Sequence, residues 1–144
     1  MSKKSLILVI LQFSSFAFFV LNGGLFAKGG LLILQIIGLA IGLWGILAMK
    51  LGNLNIQPEV KQNAVFINNG PYKLIRNPMY TGLLMFFSVS VFTHFNYLKL
   101  GVLIILIVVL LMKIFMEEQF LSERFEKEYL NYKKKTHRLI PFIY

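Results

Sequence analysis

The sequence contains no cysteine, which excludes disulfides and thiolate metal sites and leaves the redox compartment open. Acid is also scarce: there are six carboxylate side chains in 144 residues, and none lies in the first three long apolar runs. A four-helix proton-coupled transporter is the leading non-enzyme alternative for a chain of this size, but it would want a carboxylate at mid-membrane. No small-x-small cleavage site followed by a polar segment comes after Lys3, Lys4 and the first apolar run, so that run is expected to be a retained helix rather than a cleaved leader. Two further absences are a glycine-rich turn of the dinucleotide-binding kind and any internal repeat.

Apolar side chains are abundant. Hydrophobic residues make up 57% of the chain and aromatics 15%, with a mean hydropathy of +0.70. That is more apolar surface than a soluble domain of this length can bury. The expectation is an all-α, polytopic membrane protein with one domain over residues 1–144. Spans are expected at about 6–27, 31–49, 79–95 and 98–115, each near the length that crosses roughly 30 Å of hydrocarbon. Gly38, Gly42 and Gly45 put small residues on one face of the second span, where a neighbouring helix can approach closely. Gln12, Ser14 and Ser15 are polar exceptions in the first span, and Gln35 and Trp44 in the second read as packing or interfacial groups.

The net charge of +9 does not point to nucleic acid here, because the basic residues flank apolar spans. Thirteen of the fifteen fall at the termini or in the segment after the second span, while Lys28 and Lys99 lie on the other side. The positive-inside rule then places both termini and the second loop in the cytoplasm.

That second loop, 51–78, has the chemistry of a polar connection. Asn69-Gly70-Pro71 signals a turn, and Pro78 suits the first turn of the next helix, where a missing amide donor costs nothing. After the fourth span no Gly or Pro stops the helix. Ile114, Leu121, Phe125, Tyr129 and Tyr132 recur at helical spacing, which predicts an amphipathic surface helix over about 116–133, with Lys133, Lys134 and Lys135 toward lipid headgroups.

Five of the six acids, Glu117, Glu118, Glu123, Glu126 and Glu128, follow that span. Glu117 and Glu118 sit where hydrocarbon ends, a position at which a carboxylate needs a partner. Lys113, one turn earlier, could be that partner; a cationic ligand could be another. Tyr72, Arg76, Asn77 and Tyr80 cluster about Pro71 and Pro78 on the same side of the membrane, so two polar patches converge at one depth.

The run Gly70-Pro71-Tyr72-Lys73-Leu74-Ile75-Arg76-Asn77-Pro78-Met79-Tyr80 resembles the G-x-Y-x-x-x-R-H-P-x-Y signature of the isoprenylcysteine carboxyl methyltransferase and phospholipid methyltransferase superfamily. Glu117-Glu118, Phe125, the stretch Glu128 to Lys134 and Leu139 to Ile143 are similar to its acidic pair and its tail, and Leu51 to Asn55 to the start of its cofactor loop. The resemblance covers residues 51–143, with the motifs in order.

It implies a helical membrane enzyme that binds S-adenosylmethionine without a Rossmann sheet and methylates a lipophilic or membrane-anchored acceptor among membrane lipids. Carried over by position, cofactor contacts fall on Asn63, Ala64, Val65, Phe66, Tyr72, Asn77, Pro78, Met79, Tyr80 and Glu117. Lys113 and Arg76 fall beside the acceptor, with Lys113 and Glu117 acting catalytically through charge and position. No metal is implied. Asn77 stands where the family has histidine and Lys113 where it has arginine, which removes a titratable ring and a bidentate fork. A carboxylate of the isoprenylcysteine kind is the expected acceptor, with a phospholipid or a small amphiphile as alternatives. An amine acceptor would need a base, and Glu118 is the residue type at hand. His94 and His137 are expected far from the chemistry.

Overall fold

The computed structural model describes residues 2–53, 55–59 and 65–144, the side chains of 50–53 apart. Among the described residues four α-helices form: α1 (Lys3–Leu21), α2 (Gly30–Asn53), α3 (Pro78–Thr93) and α4 (Tyr97–Lys135). No β-strand occurs among the described residues, only one isolated parallel bridge between Ile75 and His137. Lys3–Leu21, Gly30–Met49 and α4 are long and apolar enough to cross a membrane, and α3 is a shorter apolar helix. Its 16 residues rise about 24 Å at 1.5 Å each. The chain is an integral, polytopic membrane protein of all-α class.

α1 begins on Ser2, whose side chain accepts from the Ser5 amide at 3.1 Å. It ends at Leu21, earlier than the expected limit near residue 27, because Gly23 and Gly24 adopt left-handed φ of 66° and 60° that continue no right-handed helix. The connection to α2 is held at the far end by side chains from three helices. Gln35 donates to the carbonyls of Leu25 (2.9 Å) and Phe86 (3.1 Å) and accepts from the Ala27 amide (2.7 Å). Ser90 donates to the Gly24 carbonyl (3.1 Å) and Lys99 to that of Gly23 (2.7 Å). Backbone groups near hydrocarbon cannot be left unpaired cheaply, and these side chains pair them.

α2 and α3 touch backbone to backbone. A Cβ placed on Gly82 would stand 2.8 Å from the Gly42 amide nitrogen and closer still to the Gly38 carbonyl, and one on Gly45 would press on Pro78 at 3.0 Å. The glycine face of the second span thus docks α3, as small residues do in lipid, where dispersion rather than water exclusion drives association. Phe19, Phe87, Leu106, Leu110 and Ile114 build the core among α1, α3 and α4, with Phe19 and Phe87 rings 4.6 Å apart. The outward faces of α1 and α2, including Ile7, Ile33, Leu43 and Leu47, are exposed, as lipid-facing positions should be.

α4 runs without a break through the boundary at 116 where a separate surface helix is expected. Its axis changes at Glu126 instead, where φ is 37° and ψ −114°. That bend turns Tyr129 and Tyr132 back toward the loop before α3.

Candidate active site

Gly70 takes a left-handed φ of 55°, and a Cβ there would press on Ala48 at 3.2 Å and on the Trp44 indole nitrogen at 3.3 Å. Only glycine meets both demands. The 3₁₀ turn that follows, Gly70–Lys73, buries Tyr72, and the Leu74 and Ile75 amides both donate to the Pro71 carbonyl. Beyond it the chain runs beside the C-terminal tail. The Arg76 amide donates to the His137 carbonyl (2.7 Å), and the His137 amide donates to Leu74 (2.9 Å). The Asn77 side chain donates to the Arg138 carbonyl (3.0 Å), and Thr81 donates to that of Leu139 (2.7 Å). His137 therefore lies in a backbone splice beside the site, nearer than expected, while His94 stays at the far end against Gly24.

Two concavities meet at this end of the bundle. The first is an open cleft of about 790 Å³, its solvent-open mouth included, walled by the loop residues Asn55, Gln57, Pro58, Glu59 and Val65 to Ile67, by Tyr72, Asn77 and Met79, and by Glu117, Leu121, Tyr129 and Tyr132 of α4. The second is a more apolar groove of about 850 Å³ between α1, α2 and α3, running from Phe13, Leu39 and Leu43 down to Gln12, Tyr80 and Lys113. Asn55 and Met79 line both. Tyr80 joins them as well: its ring faces the groove, and its hydroxyl donates to Glu117 in the cleft wall.

The adjacent glutamates have different surroundings. Side chains one residue apart on a helix point about 100° apart. Glu117 faces the cleft, while Glu118 faces the tail and is gripped by three cations. Arg76 Nε and Arg138 Nη2 each lie 2.9 Å from its oxygens, and Lys133 Nζ lies 3.3 Å away. A carboxylate so held is structural, which corrects the expectation that Glu118 could serve as a base. Arg76, expected beside the acceptor, has Nε on Glu118 and Nη1 on the Lys133 and Thr136 carbonyls; it borders the cleft but is committed to the tail. Its hydrogen bonds to Glu118 hold the Arg138 guanidinium even more firmly charged than usual.

Of the other expected cofactor contacts, Val65, Phe66, Tyr72, Asn77, Met79 and Glu117 line the cleft together. Pro78 does not; it is buried against Gly45 at the start of α3. Asn63 and Ala64 lie outside the described residues. Lys113 lies in the groove and forms no ion pair with Glu117. Its Nζ donates to Gln12 Oε1 at 2.6 Å and to the Ile56 carbonyl at 2.8 Å, and sits 5.4 Å from the centre of the Tyr80 ring. Tyr129 and Gln12 were not among the expected site residues. Tyr129 belongs to the apolar stripe of α4, so its spacing reads as surface packing. Gln12 is a lone amide in an apolar span, and only its contact with a residue 101 positions away gives it meaning.

Tyr72 and Tyr129 are almost fully buried, 4% and 1% exposed, yet their hydroxyls have no hydrogen-bond partner among the described residues. Buried polar atoms are paired in nearly all folded proteins, so two orphans on one cleft wall suggest a ligand that pairs them. Burial, with Glu117 nearby, pushes the Tyr72 phenol well above its ordinary range, so it stays a donor at neutral pH. Phe66 meets Phe125, Tyr129 and Tyr132 with ring centres 5.2–6.2 Å apart, forming an aromatic wall on the same side.

A family model described as phospholipid methyltransferase matches residues 26–128, most of the chain, with α2 and α3 whole and α4 in part, while α1 precedes it. The chain belongs to the phospholipid methyltransferase family. No curated protein matches it at a significant level. Membership makes the chain a membrane methyltransferase and fits a lipid substrate. The matched span ends at Glu128, so the tail that pairs with residues 74–76 lies outside it.

Proposed function

We propose that this protein transfers a methyl group from S-adenosylmethionine, bound in the cleft, to an acceptor on a lipid whose apolar part lies in the groove. The observation that carries the reading is the position of Glu117: a carboxylate in the cleft wall, beside two unpaired tyrosine hydroxyls and linked through Tyr80 to the neighbouring groove. The cleft is open to the outside, so a nucleoside-like ligand has a way in. Its residues also fit the parts of such a ligand: a carboxylate for a cation, aromatic faces for a base, and hydroxyl donors for polar edges.

The cofactor supplies a methyl carbon on a cationic sulfur, which becomes neutral as the carbon–sulfur electron pair passes to it. The protein's part is positioning, which can supply about 7–11 kcal/mol of such a barrier. Glu117 holds the cation, the Phe66 wall and Tyr72 frame the base and sugar, and Lys113 steers an anionic acceptor from the groove. A carboxylate acceptor arrives ionised and needs no base, which suits a site whose second glutamate is occupied by arginines. A phospholipid is the second acceptor, one that the family description names, and its amine would have to shed a proton. Both termini and the cleft are placed on the cytoplasmic side, on the strength of the basic residues that flank the spans at this end.

Glu117→Gln should abolish binding of S-adenosylmethionine in a calorimetric titration in detergent, with the protein still folded and monodisperse. Unchanged affinity would sink the assignment. Incubation with cofactor labelled in the methyl group and a lipid extract then separates the acceptors: label released by mild base marks a carboxyl ester, and label that survives marks a methylated amine.

A further inference from the structure

Lys113 and Glu117 are four residues apart on α4, the spacing at which a lysine and a glutamate on one helix normally pair. Lys113 is 1% exposed and Glu117 is half-buried in the cleft wall, so the pull toward an ion pair is stronger than on a surface helix. They are nevertheless apart. Gln12 of α1, itself 6% exposed, takes one Lys113 proton at 2.6 Å, and the Ile56 carbonyl takes another at 2.8 Å. The Tyr80 ring offers its face at 5.4 Å while the Tyr80 hydroxyl is given to Glu117. All of the ammonium's partners are neutral. The lysine side chain is turned to the groove and the glutamate side chain to the cleft.

We infer that Gln12 is a positioning residue that prevents Lys113 and Glu117 from neutralising each other, so that one helix presents a cation to the acceptor and an anion to the cofactor at the same time. The inference rests on the functional reading above. Without the amide, Lys113 has a free donor and a carboxylate within one helical turn. The ion pair that forms takes from the cofactor the charge that holds it.

The test is a pair of backgrounds read by calorimetry with S-adenosylmethionine in detergent. Gln12→Met, close to isosteric, should weaken binding by at least about tenfold, the scale of a buried charge pair. In a Lys113→Met background there is no cation to neutralise Glu117, and the same Gln12→Met change should alter affinity by no more than about twofold. Gln12→Glu gives Lys113 a firmer hold on α1. It should leave cofactor affinity unchanged while raising KM for the acceptor, which a merely structural amide would not produce. Equal losses in both backgrounds, or no loss in either, would overturn the inference alone. A parent chain that binds no S-adenosylmethionine overturns it together with the functional reading, and if Gln12→Met does not fold, the KM-against-affinity split of Gln12→Glu decides.

Discussion

At the scale of single residues, the site consists of polar groups that the fold leaves unpaired and others that it pairs with care. Tyr129 is nearly inaccessible, yet its hydroxyl has no partner among the described residues. Tyr129→Phe removes an oxygen that the protein alone does not satisfy, so the unfolding midpoint in detergent should stay level or rise. Affinity for S-adenosylmethionine should fall by the worth of one hydrogen bond, about 0.5–1.5 kcal/mol or roughly two- to twelvefold. A drop in stability with affinity intact would show that the hydroxyl serves the fold. Glu118 is the opposite case. Glu118→Ala strips Arg76 and Arg138 of their shared counter-ion, and breaking a buried pair from one side costs about 3–5 kcal/mol. Thermal unfolding should fall accordingly, and limited proteolysis should then cut the chain near 136–144, which the parent resists. Sequence alone could not separate the two glutamates, because both stand at the membrane boundary beside basic residues. What distinguishes them is the tail folding back on Glu118, a contact between distant segments.

At the scale of helices, the glycines were legible and the helix ends were not. Gly38, Gly42 and Gly45 recur at helical spacing, and spacing is local information; α3 docks on that face. The end of α1 was set by left-handed glycines at 23 and 24 inside an otherwise apolar stretch, where hydropathy gives no sign of a stop. The bend of α4 at Glu126 was equally hidden, since nothing in Arg124 to Lys127 resembles a breaker. The α2–α3 contact gives a prediction with its own control. Gly82→Ala drives a methyl into the α2 backbone and should destabilise by about 1–3 kcal/mol, as overpacking does. Gly42→Ala meets only the Met79 carbonyl at 3.9 Å and should be tolerated. Unfolding midpoints for the two variants, measured side by side, check the asymmetry. If both are equally harmful, the backbones are not as close as they stand here.

At the scale of the whole molecule, the membrane class and family followed from composition and motif order, because both are carried by many residues at once. The groove beside the cleft did not, because residues of α1, α2, α3 and α4 line it and no periodicity assigns which of them face one another. Sidedness is open to a clean measurement, since the native sequence has no cysteine to mask. Single cysteines at Ser2 and Tyr144 should be protected from an impermeant maleimide in intact cells and labelled after permeabilisation, and one at Tyr97 should show the reverse. Labelling of all three from outside would invert the proposed orientation.

The parallel splice of residues 74–76 with 137–139 has a consequence in time. The ribosome makes residues 74–76 well before His137, so the loop ahead of α3 waits for its partner until the last helix has been synthesised. A chain interrupted after Lys135 would leave the Arg76 amide and the Leu74 carbonyl without the partners that His137 gives them. The loop before α3 is therefore settled by residues that are made long after it.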